Sequence, residues 1–404
     1  MALASLKTEA LKTEATDPRG EDFAVRAARA AAIAAQYAVA VDRDARFPAE
    51  AFAALKAEHL LSMMIPRAFG GEAADAGAVM EVCYRLGQVC SSTALIFAMH
   101  QVKVFCVVRH AHNSPWHHDF MRRIAKDELL LASSTTEGNG GGDVRSSAGA
   151  VVYDGSRISL TRDATVMSYG AQADAVVTTA RRSPESAPSD QVLIAFEKAD
   201  YTLDPTTSWD TLGMRGTSSA GFNFKAEGVE HQILPEAYAS IHSVSMVPSA
   251  HLMWSSVWAG IAAGAVEKAR LFTRKAARGA GGQLPPGAIH FTKASAQLRQ
   301  LRALLLANLS RFEALADDHA ALQATEFQTA IAMLKVEASE LAVATVMSAM
   351  RATGLSGYRN DTDVSIGRSL RDILSSPIMI NNERIVANLA ASVMLSETPQ
   401  TLRD

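Results

Sequence analysis

The chain has 404 residues, 48% of them hydrophobic and 20% charged, with a net charge of −3. That is enough apolar material for two or three cored domains of a soluble globular protein, and the near-neutral balance argues against a nucleic-acid partner, which would call for a basic face. Three cysteines, Cys83, Cys90 and Cys106, are odd in number and not spaced as a zinc site, so they are expected to be buried thiols in a cytoplasmic protein.

The N-terminus repeats LKTEA in tandem and has no apolar central segment. It reads as a charged, disordered tail over 1–22 and not as a signal peptide. From 23 to 126 the pattern is helical: AVRAARAAAIAAQYAVAV is dominated by the best helix former, and FPAEAFAALKAEHLL follows with its proline at a helix start. The most apolar stretch, TALIFAMHQVKVFCVV, is interrupted by His100, Gln101 and Lys103, too soon for a membrane span.

From 127 to 240 short β-rich runs appear, among them ELLLASST, RISLT, DAVVTTARR, QVLIAFE and GFNFKAEGV, separated by Gly, Asp, Ser and Pro clusters. They do not alternate with helices, so an antiparallel sandwich or barrel is expected. From 241 to 404 helical periods return: Leu298, Leu301, Leu305, Leu309 and Phe312 step by three and four, as do Phe327, Ile331, Leu334, Ala338 and Leu341. Two long amphipathic helices with one before and one after predict a four-helix bundle. The fold class is α+β and multidomain, in the order helices, β, helices.

Two glycine motifs stand out. TEGNGGGD, Thr136 to Asp143, follows a strand, and such backbone approaches an anionic or planar ligand closely. It lacks the Gly-Lys-Ser/Thr of a P-loop and the surrounding βαβ unit of a dinucleotide fingerprint. LGMRGTSS, Leu212 to Ser219, leads into the last strand. Taken singly, a surface loop and a tight turn explain them equally well.

In this order, the segments IPRAFGGEAAD, TTEGNGGGD, SYGAQADAVVTTARR, LGMRGTSSAGFNF and GLSGYRNDTDVSIGRSLRD resemble the acyl-CoA dehydrogenase superfamily. The resemblance implies an FAD between the β-domain and the C-terminal helices. Thr136 matches the position that bonds the isoalloxazine edge, and Gly141 and Gly142 belong to the flavin loop, Gly142 replacing the family's serine. Thr161 matches a threonine of the strand backing the flavin, and Ser159 stands where many members place a tryptophan. Arg278 resembles the arginine that reaches the cofactor of a neighbouring subunit, which implies a homodimer or homotetramer.

The family's catalytic glutamate removes the α-proton of an acyl thioester while hydride passes to the flavin, and it lies nine residues after the Arg of an Arg-Asp pair. Counted from Arg371, that position holds Ile380. The alternative site on the first bundle helix, between Leu252 and Trp254, holds no carboxylate either. Three readings follow. Glu383, one helical turn beyond Ile380, serves as a relocated base for oxidation of the α,β bond of an acyl thioester, with an electron-transfer flavoprotein as partner. Alternatively the chain is a monooxygenase that takes reduced flavin, FAD or FMN, from a flavin reductase and activates O₂, with His100, His251 and Ser168 as the polar groups of its pocket. The third reading is a non-catalytic flavoprotein.

Overall fold

A computed structural model of the chain describes residues 17–137, 145–395 and 401. Most of the expected tail therefore lies outside the described residues, as do Gly141 and Gly142.

Five helices open the fold: α1 (Phe23–Arg43), α2 (Ala49–Ala57), α3 (Ala76–Gly87), α4 (Ser91–His110) and α5 (Pro115–Asp127). Asp22 caps α1 by accepting from the Ala24 N–H at 2.6 Å. In α1 the alanines at 27, 30, 31, 34 and 38 fall on one buried face, where their small size lets neighbouring helices come close. Arg26 is buried on the same helix because it pairs with Glu72 at 2.7 Å and donates to the Glu58 carbonyl. By length and composition α4 alone among the described helices has the character of a membrane span, yet 89% of that span is buried inside the fold. It is the central helix of the domain, and the three cysteines are buried as expected.

Among the described residues seven strands follow: β1 (Leu131–Ser134), β2 (Val152–Asp154), β3 (Arg157–Ala164), β4 (Ala175–Arg181), β5 (Gln191–Glu197), β6 (Tyr201–Thr207) and β7 (Gly221–Val229). They form two sheets, β1-β4-β5 and β2-β3-β7-β6. In the larger sheet β3 alternates buried and exposed residues, the mark of a sheet with one wet face. By contrast β4 and β5 are buried on both faces and read as continuous apolar runs. The expectation of purely antiparallel pairing needs one correction: β1 runs parallel to β4. The chain leaves β1, builds β2 and β3 in the other sheet, and returns as β4, a crossover long enough to permit parallel pairing.

The C-terminal helices are α6 (Tyr238–Ile241), a π turn (His242–Met246), α7 (Val247–Gly279), α8 (Ala288–Ala314), α9 (His319–Gln323), α10 (Thr325–Thr353), α11 (Leu355–Tyr358), α12 (Gly367–Ile373), α13 (Ser375–Ile378) and α14 (Asn382–Leu395). Three long helices, α7, α8 and α10, pack on one another and α14 lies against α10. Pro248 has no N–H, and its ring would collide with the Val244 carbonyl in a regular helix; the widened π turn just before it absorbs that conflict. Where α3 crosses α7, a Cβ on Gly87 would stand 2.6 Å from the Val257 carbonyl, so only glycine permits this approach.

Candidate active site

A cavity of about 640 Å³ opens where α4, the β-domain, the start of α7 and the α12–α14 segment meet. That is within the size range of small-molecule and cofactor sites. Its mouth is rimmed by Val166, Leu212 and Ile378, apolar side chains that are nonetheless exposed.

One wall is rich in hydroxyls: Thr135, Thr136, Ser168, Thr211, Thr217 and Ser219. Three of them form a directed chain. The Met214 carbonyl can only accept, and Thr217 donates to it at 2.9 Å. Ser219 must then donate to Thr217 at 2.7 Å, and Ser168 to Ser219 at 2.8 Å. Each hydroxyl has one proton, so Ser168 presents lone pairs to the cavity.

The opposite wall is apolar, from Leu95, Met99 and Val102 of α4 and Met246, Val247 and Ala250 at the start of α7, with a few polar groups set among them. His251 donates from Nδ1 to the Ile331 carbonyl at 2.8 Å, which leaves Nε2 without a protein partner among the described residues. Burial holds this imidazole at about 4, so it is neutral at pH 7 and Nε2 is an acceptor. The Trp254 indole N–H is buried with no acceptor among the described residues. Lys103, almost fully buried, touches the Met246 sulfur at 3.6 Å.

The Arg-Asp pair at 371–372 works as a joint. Arg371 forms an ion pair with Asp42 of α1 and donates to the Leu212 carbonyl at 2.9 Å. Asp372 is buried and accepts the Met214 N–H at 2.7 Å. Between these contacts lies Gly213, where any Cβ would overlap the Arg371 carbonyl and stand 2.7 Å from the Asp372 nitrogen. The LGMRGTSS turn is thereby clamped to α12 and α1, and its Leu212, Gly213, Met214, Thr217 and Ser219 face the cavity.

Two matches decide the family. The chain corresponds to "Acyl-CoA dehydrogenase, N-terminal domain" over residues 22–128 and to "Acyl-CoA dehydrogenase, C-terminal domain" over residues 249–394. The chain belongs to the acyl-CoA dehydrogenase superfamily.

Both chemistries of this superfamily are found among its relatives. Cyclohex-1-ene-1-carbonyl-CoA dehydrogenase of Geobacter metallireducens is 24% identical over 89% of this chain and 93% of its own length. A dibenzothiophene monooxygenase of Mycolicibacterium goodii is 27% identical, over 55% of this chain and 56% of its own length. Among solved structures, FMN-bound TdsC from Paenibacillus sp. A11-2 shares the fold, with a TM-score of 0.80 at 18% identity, covering 93% of this chain and 98% of that one.

The sequence-predicted residues of this superfamily member divide sharply. Thr136, Ser168, His251 and Ile380 come together at the cavity. Glu383 does not: it is exposed in the first turn of α14 and outside the lining, because the left-handed backbone at Ile380 and Asn381 turns the chain before the helix starts. His100 is a correction of another kind. It is fully buried behind the wall, with Nε2 donating to the Leu61 carbonyl at 2.8 Å and Nδ1 accepting from the Leu131 N–H at 3.0 Å. Both nitrogens are committed, so it staples α4 to β1. Thr161 lies on the exposed face of β3, away from the cavity, and Ser159 is likewise not in the lining. Arg278 is exposed near the end of α7 and takes no part in this cavity. Lys103, Trp254 and Met246 line the cavity but were not singled out as functional in the sequence.

A flavin suits this cavity on the residues present. The hydroxyl wall offers hydrogen bonds to a polar ring edge, and the apolar wall suits a flat aromatic face. Glu137, next to the cavity-lining Thr136, accepts the Ala148 and Gly149 N–H groups, at 2.6 and 3.1 Å.

Proposed function

We propose that the protein is a flavin-dependent monooxygenase that oxygenates a small, largely apolar substrate with reduced flavin and O₂. The observation that carries this reading is the composition of the cavity wall: among the described residues it contains no aspartate or glutamate. Dehydrogenation of an acyl thioester needs a base within about 3 Å of the α-proton. Ile380 occupies the expected position, Glu383 is exposed elsewhere, and His251 is a weak base because burial holds it at about 4. Lys103 sits at about 8 through burial and is mostly protonated at pH 7.

Reduced flavin, when bound, supplies the electrons that activate O₂. The chain's own part is to exclude water with the apolar wall, to accept a hydrogen bond at Ser168, and to offer the His251 Nε2 lone pair to a donor in the cavity. Thr136 serves the flavin edge. A separate flavin reductase is the electron partner under this reading. Exposed apolar side chains on the bundle, Leu271, Ile289 and Leu306, support a homodimer or homotetramer in which Arg278 serves a neighbour's cofactor. Light scattering that gives a monomer would exclude that assembly.

The long match to a cyclohex-1-ene-1-carbonyl-CoA dehydrogenase favours a second reading, oxidation of an acyl thioester with an electron-transfer flavoprotein as acceptor. Anaerobic stopped-flow separates the two. The flavin-loaded wild type is mixed with a panel of acyl-CoAs, alongside Ile380→Glu. The expected result is no bleaching in the wild type and slow bleaching gained in Ile380→Glu. Rapid bleaching of the wild type would overturn the monooxygenase reading. In its favour would be ¹⁸O from ¹⁸O₂ in products of dibenzothiophene or related heterocycles, made with a flavin reductase present.

A further inference from the structure

Lys103 brings a buried charge into the cavity without a counter-charge among the described residues. It is 3% exposed, and among those residues its Nζ meets the Met246 sulfur alone, at 3.6 Å. A thioether is a weak acceptor and an ammonium has three donors, so this contact leaves most of its hydrogen-bonding capacity unused. Buried charges are ordinarily paired, because leaving water uncompensated is costly. On its own helix the neighbours one turn away are Met99, His100, Cys106 and Val107, and none is a carboxylate. Burial brings the ammonium down to about 8, which still leaves it mostly charged at pH 7.

The rest of the lining sharpens the point. Arg371 is spent on Asp42 and the Leu212 carbonyl. The Nδ1 proton of His251 is spent on the Ile331 carbonyl, and that of Ser168 on Ser219. Of the lysine and the arginine in the described lining, Lys103 is therefore the one with unspent donors. It stands on α4 beside the π turn, whereas the hydroxyl wall suited to the flavin is built by the sheets and the 211–219 turn.

We propose that Lys103 is the anion-binding residue of this cavity, and that the substrate is a small, mainly apolar molecule carrying one oxyanion, a carboxylate or a sulfinate, which pairs with the Lys103 ammonium. This rests on reading the cavity as the substrate site. An oxyanion is a far better acceptor than the Met246 thioether and supplies the missing counter-charge. The apolar side chains around it accept the remainder of the molecule.

Calorimetric titration of the full chain with benzoate against benzamide, and benzenesulfinate against methyl phenyl sulfone, separates charge from shape. The wild type is expected to hold at least one anion about tenfold more tightly than its neutral partner, the worth of a charge-assisted hydrogen bond. The anion with the larger preference identifies the headgroup. Lys103→Met and Lys103→Gln are expected to erase the preference while the neutral compounds bind as before. Equal affinity of the wild type for anion and neutral compound, or no measurable binding of either anion, overturns the proposal whether or not the variants fold. A preference that survives in both variants overturns it too. Flavin affinity is measured on the same proteins: if Lys103→Met loses flavin, the residue serves the cofactor and the proposal fails. If no form retains flavin while the Lys103-dependent preference persists, the monooxygenase reading falls and the anion site stands.

Discussion

Moving the protein from pH 7 to pH 5 tests how its histidines are buried. An unfolded histidine titrates near 6.5. His100, His117 and His251 are each held at about 4, in every case chiefly by burial. Once the pH is below about 6.5, the unfolded chain takes up protons that the fold refuses, so the equilibrium tilts towards unfolding. The stabilisation is complete above that pH and is lost as the pH falls towards 4. Between pH 7 and 5 each such histidine costs about 1.8 kcal/mol, and three cost about 5 kcal/mol, a large share of a typical total of about 5–15 kcal/mol. Glu128 and Asp372, whose carboxyls burial pushes up, act in the opposite sense. A variant cancels that background. His251→Met removes one titrating group and leaves the Ile331 carbonyl in the backbone ladder of α10. Urea unfolding at both pH values is expected to show a loss about 1.8 kcal/mol smaller in His251→Met than in the wild type. A wild-type stability that is flat from pH 7 to 5, or an equal loss in both proteins, would refute the reasoning.

Gly213→Ala forces a Cβ into the Arg371 carbonyl, so the turn and α12 must part; a loss of about 1–3 kcal/mol by urea unfolding is expected, with weaker flavin retention on gel filtration. Asp372→Ala strips the Met214 N–H of its buried acceptor and is expected to cost about 1–3 kcal/mol. Glu383→Gln changes an exposed side chain outside the cavity, and both stability, within about 0.5 kcal/mol, and turnover are expected to match the wild type. A large loss of turnover in Glu383→Gln would restore the relocated-base reading.

The order of helices and strands was legible because each periodicity reflects a local burial pattern. Strand direction was not, because pairing β1 parallel to β4 depends on the path the chain takes in between. The outward face of Thr161 is legible in the sequence: Ile158 and Leu160 alternate inward on β3, which puts Thr161 on the outer face, whereas Ser168 follows after the strand has ended. Within TALIFAMHQVKVFCVV, His100 and Lys103 break the apolar pattern alike, and only the packing tells the staple from the cavity cation. A lysine with no carboxylate one turn away on an otherwise apolar helix was the available signal. The vacancy at Ile380 was readable by counting, but its backbone was not: a β-branched residue at φ +62 followed by Asn381 at φ +56 is a conformation that sequence pattern disfavours.

The joint at Arg371 and Asp372 has a mechanical consequence. It ties residues 42, 212 to 214 and 371 to 372 into one knot, so segments separated by more than half the chain share their position. Domains joined by a small polar interface open and close as rigid bodies by default; here the knot ties a turn of the β-domain to helices before and after it in the chain. The exposed rim side chains Val166, Leu212 and Ile378 are what a visiting molecule meets first. The threshold it must cross is greasy while its destination holds a charge, so admission and retention select on different properties of the same molecule.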